Sequence, residues 1–229
     1  MLIFAHRGAS ATEPENTLRS FKKAEEVGVD GIELDVRQSK DGQIVVFHDR
    51  TLHRLFGIDK EVSDLTVAEL KEISKTREIP TLEEVLNNIH SDLNIEIKVR
   101  GIEDKVLSII KNFPHKVLIS SFYPGVLKKI RALDGNIHLG LNFLKEELTI
   151  ESVISFLVRK VKLHSIHVED KYISSATVIL LRLLAKDVYV WTVNSREEYG
   201  RMKKLGVDGI FTDYPELIKS FENNESSSI

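Results

Sequence analysis

Nine short apolar runs alternate with longer amphipathic stretches along this chain, and most of those runs are continuously hydrophobic. A strand that is apolar on both faces must be covered on both faces, which is the condition of a parallel sheet flanked by helices. The expected strands are Leu2–Ala5, Gly31–Val36, Ile44–His48, Leu93–Val99, Val117–Ser120, Ile137–Leu141, Ser165–Val168, Val188–Val193 and Gly209–Thr212. The expected helices are Thr17–Val27, Val67–Ile73, Leu82–Ile89, Glu103–Asn112, Gly125–Ala132, Glu147–Lys160, Ser174–Ala185, Arg196–Leu205 and Glu216–Phe221. Their apolar residues recur at helical spacing, as Val178, Leu181, Leu184 and Ala185 do. Strand–helix alternation over the whole chain predicts βαβ units. The length of 229 residues is near the ~250 typical of an eight-fold barrel. The expected fold class is therefore an α/β (β/α)8 TIM barrel.

Eight repeats fit once one irregular stretch is set aside. Ile44–His48 follows Val36 through Asp41-Gly42, a strong hairpin signal, so it is expected to pair back on the second strand. Residues 49–80 then break the rhythm as a small insertion after the second strand. No linker-like segment is present, which predicts one domain over 1–229, with a polar tail from Asn223 to Ile229 that frays. Gly28-Val29-Asp30-Gly31-Ile32 and Gly206-Val207-Asp208-Gly209-Ile210 repeat one another. Each reads as a helix ended by glycine and turned tightly into a strand.

A formal net charge of −3 gives no basic footprint for nucleic acid. An anionic substrate would have to be drawn in locally, by a metal or by placed Arg and Lys. The absence of cysteine excludes disulfides and thiolate metal sites. Met1–Ala5 is apolar but too short for a signal peptide, and no apolar run reaches the ~20 residues of a membrane span. The expected compartment is the cytoplasm.

Barrel active sites lie at the carboxyl ends of the strands, and the polar residues there cluster. The first strand ends in His6-Arg7-Gly8, a proton carrier beside a guanidinium suited to phosphate. The second ends in Glu33-Leu34-Asp35, whose two carboxylates share a face. Two acids together repel unless a cation neutralises them, and oxygen ligands suit Mg2+ or Ca2+. In Asn94-Ile95-Glu96-Ile97-Lys98, Glu96 offers a third ligand and Lys98 a point charge for a phosphate oxygen. Phe47-His48-Asp49 supplies a second histidine, so two can divide the acid and base roles. Phe122 and Trp191, near other strand ends, could wall the site or simply pack in the core. Asn16 or Thr17 could cap the first helix, which would account for Asn16 without any chemistry. The remaining histidines, His53, His90, His115, His138, His164 and His167, are assigned no role.

Several of these segments, taken in order, resemble the glycerophosphodiester phosphodiesterase family. They are His6-Arg7-Gly8, Pro14-Glu15-Asn16-Thr17, Glu33-Leu34-Asp35-Val36, Phe47-His48-Asp49, Glu96-Ile97-Lys98, Trp191-Thr192-Val193-Asn194 and Asp208-Gly209-Ile210-Phe211-Thr212-Asp213-Tyr214-Pro215. The resemblance implies a barrel with a short insertion and hydrolysis of glycerophosphodiesters to sn-glycerol 3-phosphate and an alcohol. It implies one divalent cation, Mg2+, Ca2+ or Mn2+, on Glu33, Asp35 and Glu96. It implies acid/base catalysis by His6 and His48, with the first as proton acceptor, and phosphate contact by Arg7 and Lys98. Glu15 and Asn16 would support the site from behind.

Two other readings compete. A phosphodiester lyase would use the same histidine pair and stop at a cyclic phosphate. A non-catalytic phosphoester-binding barrel would be expected to lack one of these histidines or acids, and here all are present.

Overall fold

The parallel strands close on themselves. In this computed structural model, which describes residues 1–75, 77–143, 161–183 and 187–226, β1 (Leu2–His6) hydrogen-bonds to both β2 (Gly31–Gln38) and β9 (Gly209–Thr212). The ring runs on from β9 through β8 (Asp187–Trp191), β7 (Ser165–Glu169), β6 (His138–Phe143), β5 (Val117–Ser121) and β4 (Leu93–Ile97) to β2. These parallel strands form the eight-stranded barrel expected from the sequence. β3 (Ile44–Val46) pairs antiparallel with β2 through Val36 and Val46, as the Asp41-Gly42 turn predicts.

The surrounding helices are α1 (Leu18–Val27), α2 (His53–Phe56), α3 (Val67–Ile73), α4 (Leu82–Asn88), α5 (Glu103–Ile110), α6 (Pro124–Leu133), α7 (Ser175–Leu181), α8 (Arg196–Leu205) and α9 (Pro215–Ser226). The expected helix over Glu147–Lys160 and the end of the one over Ser174–Ala185 lie outside the described residues. Thr17, Thr81 and Ser195 cap α1, α4 and α8, each accepting a backbone N–H three residues on. Among the described residues no helix is long and apolar enough to cross a membrane.

The repeated Gly-Val-Asp-Gly-Ile segment builds the same joint twice. Gly28 and Gly206 end α1 and α8 at φ 76° and 68°, a left-handed conformation that costs glycine little. Asp30 Oδ2 accepts from Ile3 N at 2.8 Å, and Asp208 Oδ2 accepts from Val188 N at 2.9 Å, so each aspartate ties its strand to a neighbour. Gly31 and Gly209 then face inward, where a Cβ would lie 2.5 Å from the Phe4 ring and 2.9 Å from the Tyr189 ring. These glycines leave room for the aromatic plug of Phe4, Leu118, Tyr189 and Phe211, which fills the amino-terminal half of the barrel.

The segment after β3 has its own small core of Val45, Phe47, Leu52, Val62, Leu65, Leu70 and Ile79. It includes α2, which the sequence pattern did not reveal because four residues are too few for a period to register. Several strands also end earlier than expected: β3 at Val46, β4 at Ile97 and β8 at Trp191. Beyond those ends hydrogen bonding to the neighbouring strands continues briefly, with Lys98 N donating to Val36 O at 3.2 Å and Val193 N to Phe211 O at 2.9 Å, and His48 and Lys98 stand at the mouth of the barrel.

Candidate active site

The aromatic plug leaves one end of the barrel interior free, and polar residues occupy it. His6 and Glu33 are register partners on β1 and β2, and Asp35 and Glu96 are partners on β2 and β4. Strand alternation aims all four inward. Glu33, Asp35 and Glu96 are buried, and one oxygen from each lies within 4.8 Å of the others.

Two cations and an amide hold this triad. Arg7 has a left-handed φ of 57°, and its N–H donates to Glu33 Oε2 at 3.0 Å. Its guanidinium Nε lies 3.3 Å from Asp35 Oδ2, and its Nη1 donates to Glu15 Oε1 at 3.0 Å. Lys98 Nζ lies 3.0 Å from Asp35 Oδ1 and also pairs with Glu96. Asn16 grips Asp35 twice: Nδ2 donates to Asp35 Oδ2 at 2.8 Å, and Oδ1 accepts from Asp35 N at 3.3 Å. Thr17 is the helix cap, so Asn16 serves the carboxylate and not the helix.

The electrostatics are those of a concentrated acidic site. Burial, then the charges of Asp35 and Glu96, push Glu33 well above the usual carboxylate range. Glu96 is also raised by burial, although Lys98 pulls the other way. For Asp35, burial is overcome by Lys98, Arg7 and the Asn16 hydrogen bond, and its pKa falls. Arg7 and Lys98 would be lowered by burial, but the surrounding carboxylates raise both.

Each histidine is held by an aspartate through Nδ1, with its other nitrogen left for the cavity. His6 Nδ1 lies 2.7 Å from Asp213 Oδ1, and His48 Nδ1 lies 2.6 Å from Asp49 Oδ1. Burial lowers the pKa of His48. Asn194 Nδ2 donates to Asp213 Oδ2 at 2.8 Å, and Arg54 Nε from the insertion donates to Asp49 Oδ2 at 2.6 Å. Arg54 Nη2 also donates to Glu15 Oε1 at 2.7 Å, so one residue of the insertion braces both the His48 and the Arg7 sides.

A cavity of about 220 Å³ opens over these groups, with Phe122, Trp191 and His167 among its walls. Phe122 and Trp191 meet edge to face at 6.1 Å between centroids, and Lys98 Nζ sits 5.6 Å from the Phe122 ring centre. Around this space Asn94 Oδ1, Asn142 Oδ1 and Trp191 Nε1 are buried without a hydrogen-bond partner among the described residues. Buried polar atoms are nearly always satisfied. The convergent carboxylate oxygens of Glu33, Asp35 and Glu96, all hard donors, fit a divalent cation such as Mg2+, Ca2+ or Mn2+.

Every site residue expected from sequence, His6, Arg7, Glu15, Asn16, Glu33, Asp35, His48, Glu96, Lys98, Phe122 and Trp191, falls in or directly behind this one cavity. Sequence reasoning missed Asp213, which holds His6; Asn194, which holds Asp213; Arg54, which holds Asp49; and His167. His167 is buried, with Nε2 2.8 Å from Ser165 Oγ, and burial pushes its pKa down to about 3. The one available signal for it was Ser165-x-His167 at period two in an otherwise apolar strand.

A closed barrel that gathers acids, bases and cations at the carboxyl ends of its strands defines a TIM-barrel enzyme. The pattern of the glycerophosphoryl diester phosphodiesterase family matches residues 6–217, and this chain belongs to that family. The glycerophosphodiester phosphodiesterase of Caldanaerobacter subterraneus subsp. tengcongensis is 36% identical over 236 residues, covering 95% of this chain and 96% of that protein. The crystal structure of a glycerophosphodiester phosphodiesterase from Thermotoga maritima superposes with a TM-score of 0.86 at 39% identity, covering 96% of this chain and 98% of that one. An Oleispira antarctica phosphodiesterase, solved with the product sn-glycerol-3-phosphate, gives a TM-score of 0.86 at 27% identity, with 97% of each chain covered.

Proposed function

We propose that this chain hydrolyses glycerophosphodiesters to sn-glycerol 3-phosphate and an alcohol, using one divalent cation and the pair His6 and His48. The carrying observation is a buried triad of carboxylates within 4.8 Å, facing two histidines whose Nδ1 atoms are each fixed by an aspartate. When bound, a divalent cation supplies charge that polarises a phosphoryl oxygen and favours ionisation of the attacking hydroxyl.

The protein's own groups supply the rest. Glu33, Asp35 and Glu96 would hold the cation, and Asn16 and the Arg7 amide keep two of those carboxylates aimed. Arg7 and Lys98 are already locked in ion pairs, so they stand ready where negative charge grows on the phosphoryl oxygens. With Nδ1 occupied, each imidazole offers Nε2 to the substrate. One takes the proton from the nucleophile, and the other delivers a proton to the departing alkoxide oxygen. The nucleophile is water or the substrate's own 2-hydroxyl; in the second case water then opens the cyclic ester. Trp191 and Phe122 wall off bulk water, and the unpartnered indole N–H suits a glycerol hydroxyl.

The test is product identity. Purified protein is incubated with glycerophosphoethanolamine and Mg2+, Ca2+ or Mn2+, and the products are followed by phosphorus NMR. Glycerol 3-phosphate accumulating as the end product is the expected result. A cyclic glycerol phosphate that persists would make the enzyme a lyase, and neither product across several diesters would leave a binding barrel.

A further inference from the structure

A second concave surface adjoins the cavity. It is a groove of about 630 Å³ whose walls include Arg37, Arg50, Glu61, Lys98, Arg100 and Tyr123. Lys98 lines both spaces. Phe122 walls the cavity, and its chain neighbour Tyr123 walls the groove. Arg37 Nε donates to the carbonyl of His48 at 2.8 Å, so the groove starts at the backbone of the second histidine. We infer that this groove receives the leaving alcohol and selects diesters whose alcohol carries an anionic group such as a phosphate. The inference rests on the hydrolase reading above and extends it to a substrate class.

Charge carries it. Four basic side chains face one acid across the groove. Glu61 is already engaged with Arg50 Nη1 at 2.7 Å, and Lys98 with Asp35 and Glu96. Arg37 and Arg100 form no ion pair with a carboxylate among the described residues. Arg37 is half-buried on β2. A half-buried guanidinium in ion-pair contact with no carboxylate is stabilised by an arriving anion, which it can bind through paired N–H donors. Arg100 is exposed and lies 5.2 Å from the Tyr123 ring centre, which keeps it over the groove.

Size and ring use agree with charge. The inner cavity, at about 220 Å³, is much smaller than the adjoining groove of about 630 Å³, so a bulky alcohol extends into the groove. Recognition of a quaternary ammonium needs open aromatic faces. Tyr123 faces the groove with Arg100 over its ring, and the other groove walls named above are basic apart from Glu61, which Arg50 engages. The same groove that welcomes a phosphate therefore repels choline.

The test compares kcat/KM for glycerophosphoinositol 4-phosphate, glycerophosphoinositol and glycerophosphocholine in the presence of the activating cation. The first two differ by a single phosphate. The expected result is a preference of about fivefold or more for the phosphorylated diester over its unphosphorylated partner, shrinking as salt screens the groove. Arg100→Ala should reduce that ratio, and Arg100→Glu should reverse it, relative to glycerophosphocholine measured on the same variants. Equal constants for the two inositol diesters, or a ratio untouched by both variants, would overturn the inference and leave the hydrolase reading standing. No turnover of any of the three would overturn the hydrolase reading, and the groove assignment with it.

Discussion

His6 Nδ1 and Asp213 Oδ1 lie 2.7 Å apart, joining residues 207 positions apart in the chain. The contact closes the first strand onto the last and sets the imidazole so that Nε2 points inward, 3.9 Å from Glu33 Oε2. An asparagine at 213 would offer an amide where the ring needs a carboxylate, favouring the wrong tautomer. Asp213→Asn is expected to lower kcat by about 10- to 100-fold with KM little changed. Steady-state kinetics check this, and a loss confined to KM would contradict it.

The same pair predicts an acid sensitivity. Burial alone would raise the Asp213 pKa, but hydrogen bonds from His6, Asn194 and Ser10 bring it from 3.8 down to about 2. A carboxyl depressed in the folded state contributes stability that is complete above its unfolded value and lost as pH falls through its folded value. Wild type should therefore exceed Asp213→Asn in thermal midpoint near neutrality, and the gap should close between about pH 4 and pH 2. A gap that widened on acidification would have the wrong sign.

Neighbouring residues separate support of the carboxylate triad from support of the helix. Asn16 bonds Asp35 through both ends of its amide, while Thr17 Oγ1 accepts from Ser20 N at 3.1 Å. Asn16 also has a φ of 58°, which glycine adopts freely, so Asn16→Gly isolates the side chain. That variant should bind Mg2+ or Mn2+ about tenfold more weakly by calorimetric titration. Thr17→Ala should cost about 1 kcal/mol of stability and leave cation affinity unchanged. The reverse pattern would reassign both residues.

Arg54 links the insertion to the barrel through Asp49 and Glu15. Its side chain is 45% exposed, so these pairs are screened and Arg54→Ala should lower stability by less than about 1 kcal/mol. Because Asp49 sets the His48 ring, kcat should nonetheless fall several-fold. Denaturation and kinetics on one preparation distinguish this from simple unfolding.

The parts of the site written within one strand were legible in the sequence. Glu33-x-Asp35 and Glu96-x-Lys98 share faces by period two, and His6 and His48 lie at strand ends where barrels do chemistry. The aspartate beside His48 is adjacent in sequence, but the one beside His6 belongs to the far end of the chain. That link exists only because β1 pairs with β9. Asp213 stood in a recognised segment without a role for that reason. His167 was passed over because a lone mid-strand histidine is usually core, and its inward face is decided by closure of the barrel. The arginines of the groove come from β2, the insertion and the residues after β4, and no sequence spacing unites them.

The most direct test of the account is release of glycerol 3-phosphate from one readily cleaved diester by the intact protein, by His6→Ala, by His48→Ala and by Glu33→Gln, each with added divalent cation and with EDTA. The account predicts robust release by the intact protein with cation, abolition by EDTA that restored cation reverses, and a loss of about 100-fold or more in each variant. Turnover that survives EDTA, or that persists at near wild-type rate without either histidine, would contradict it.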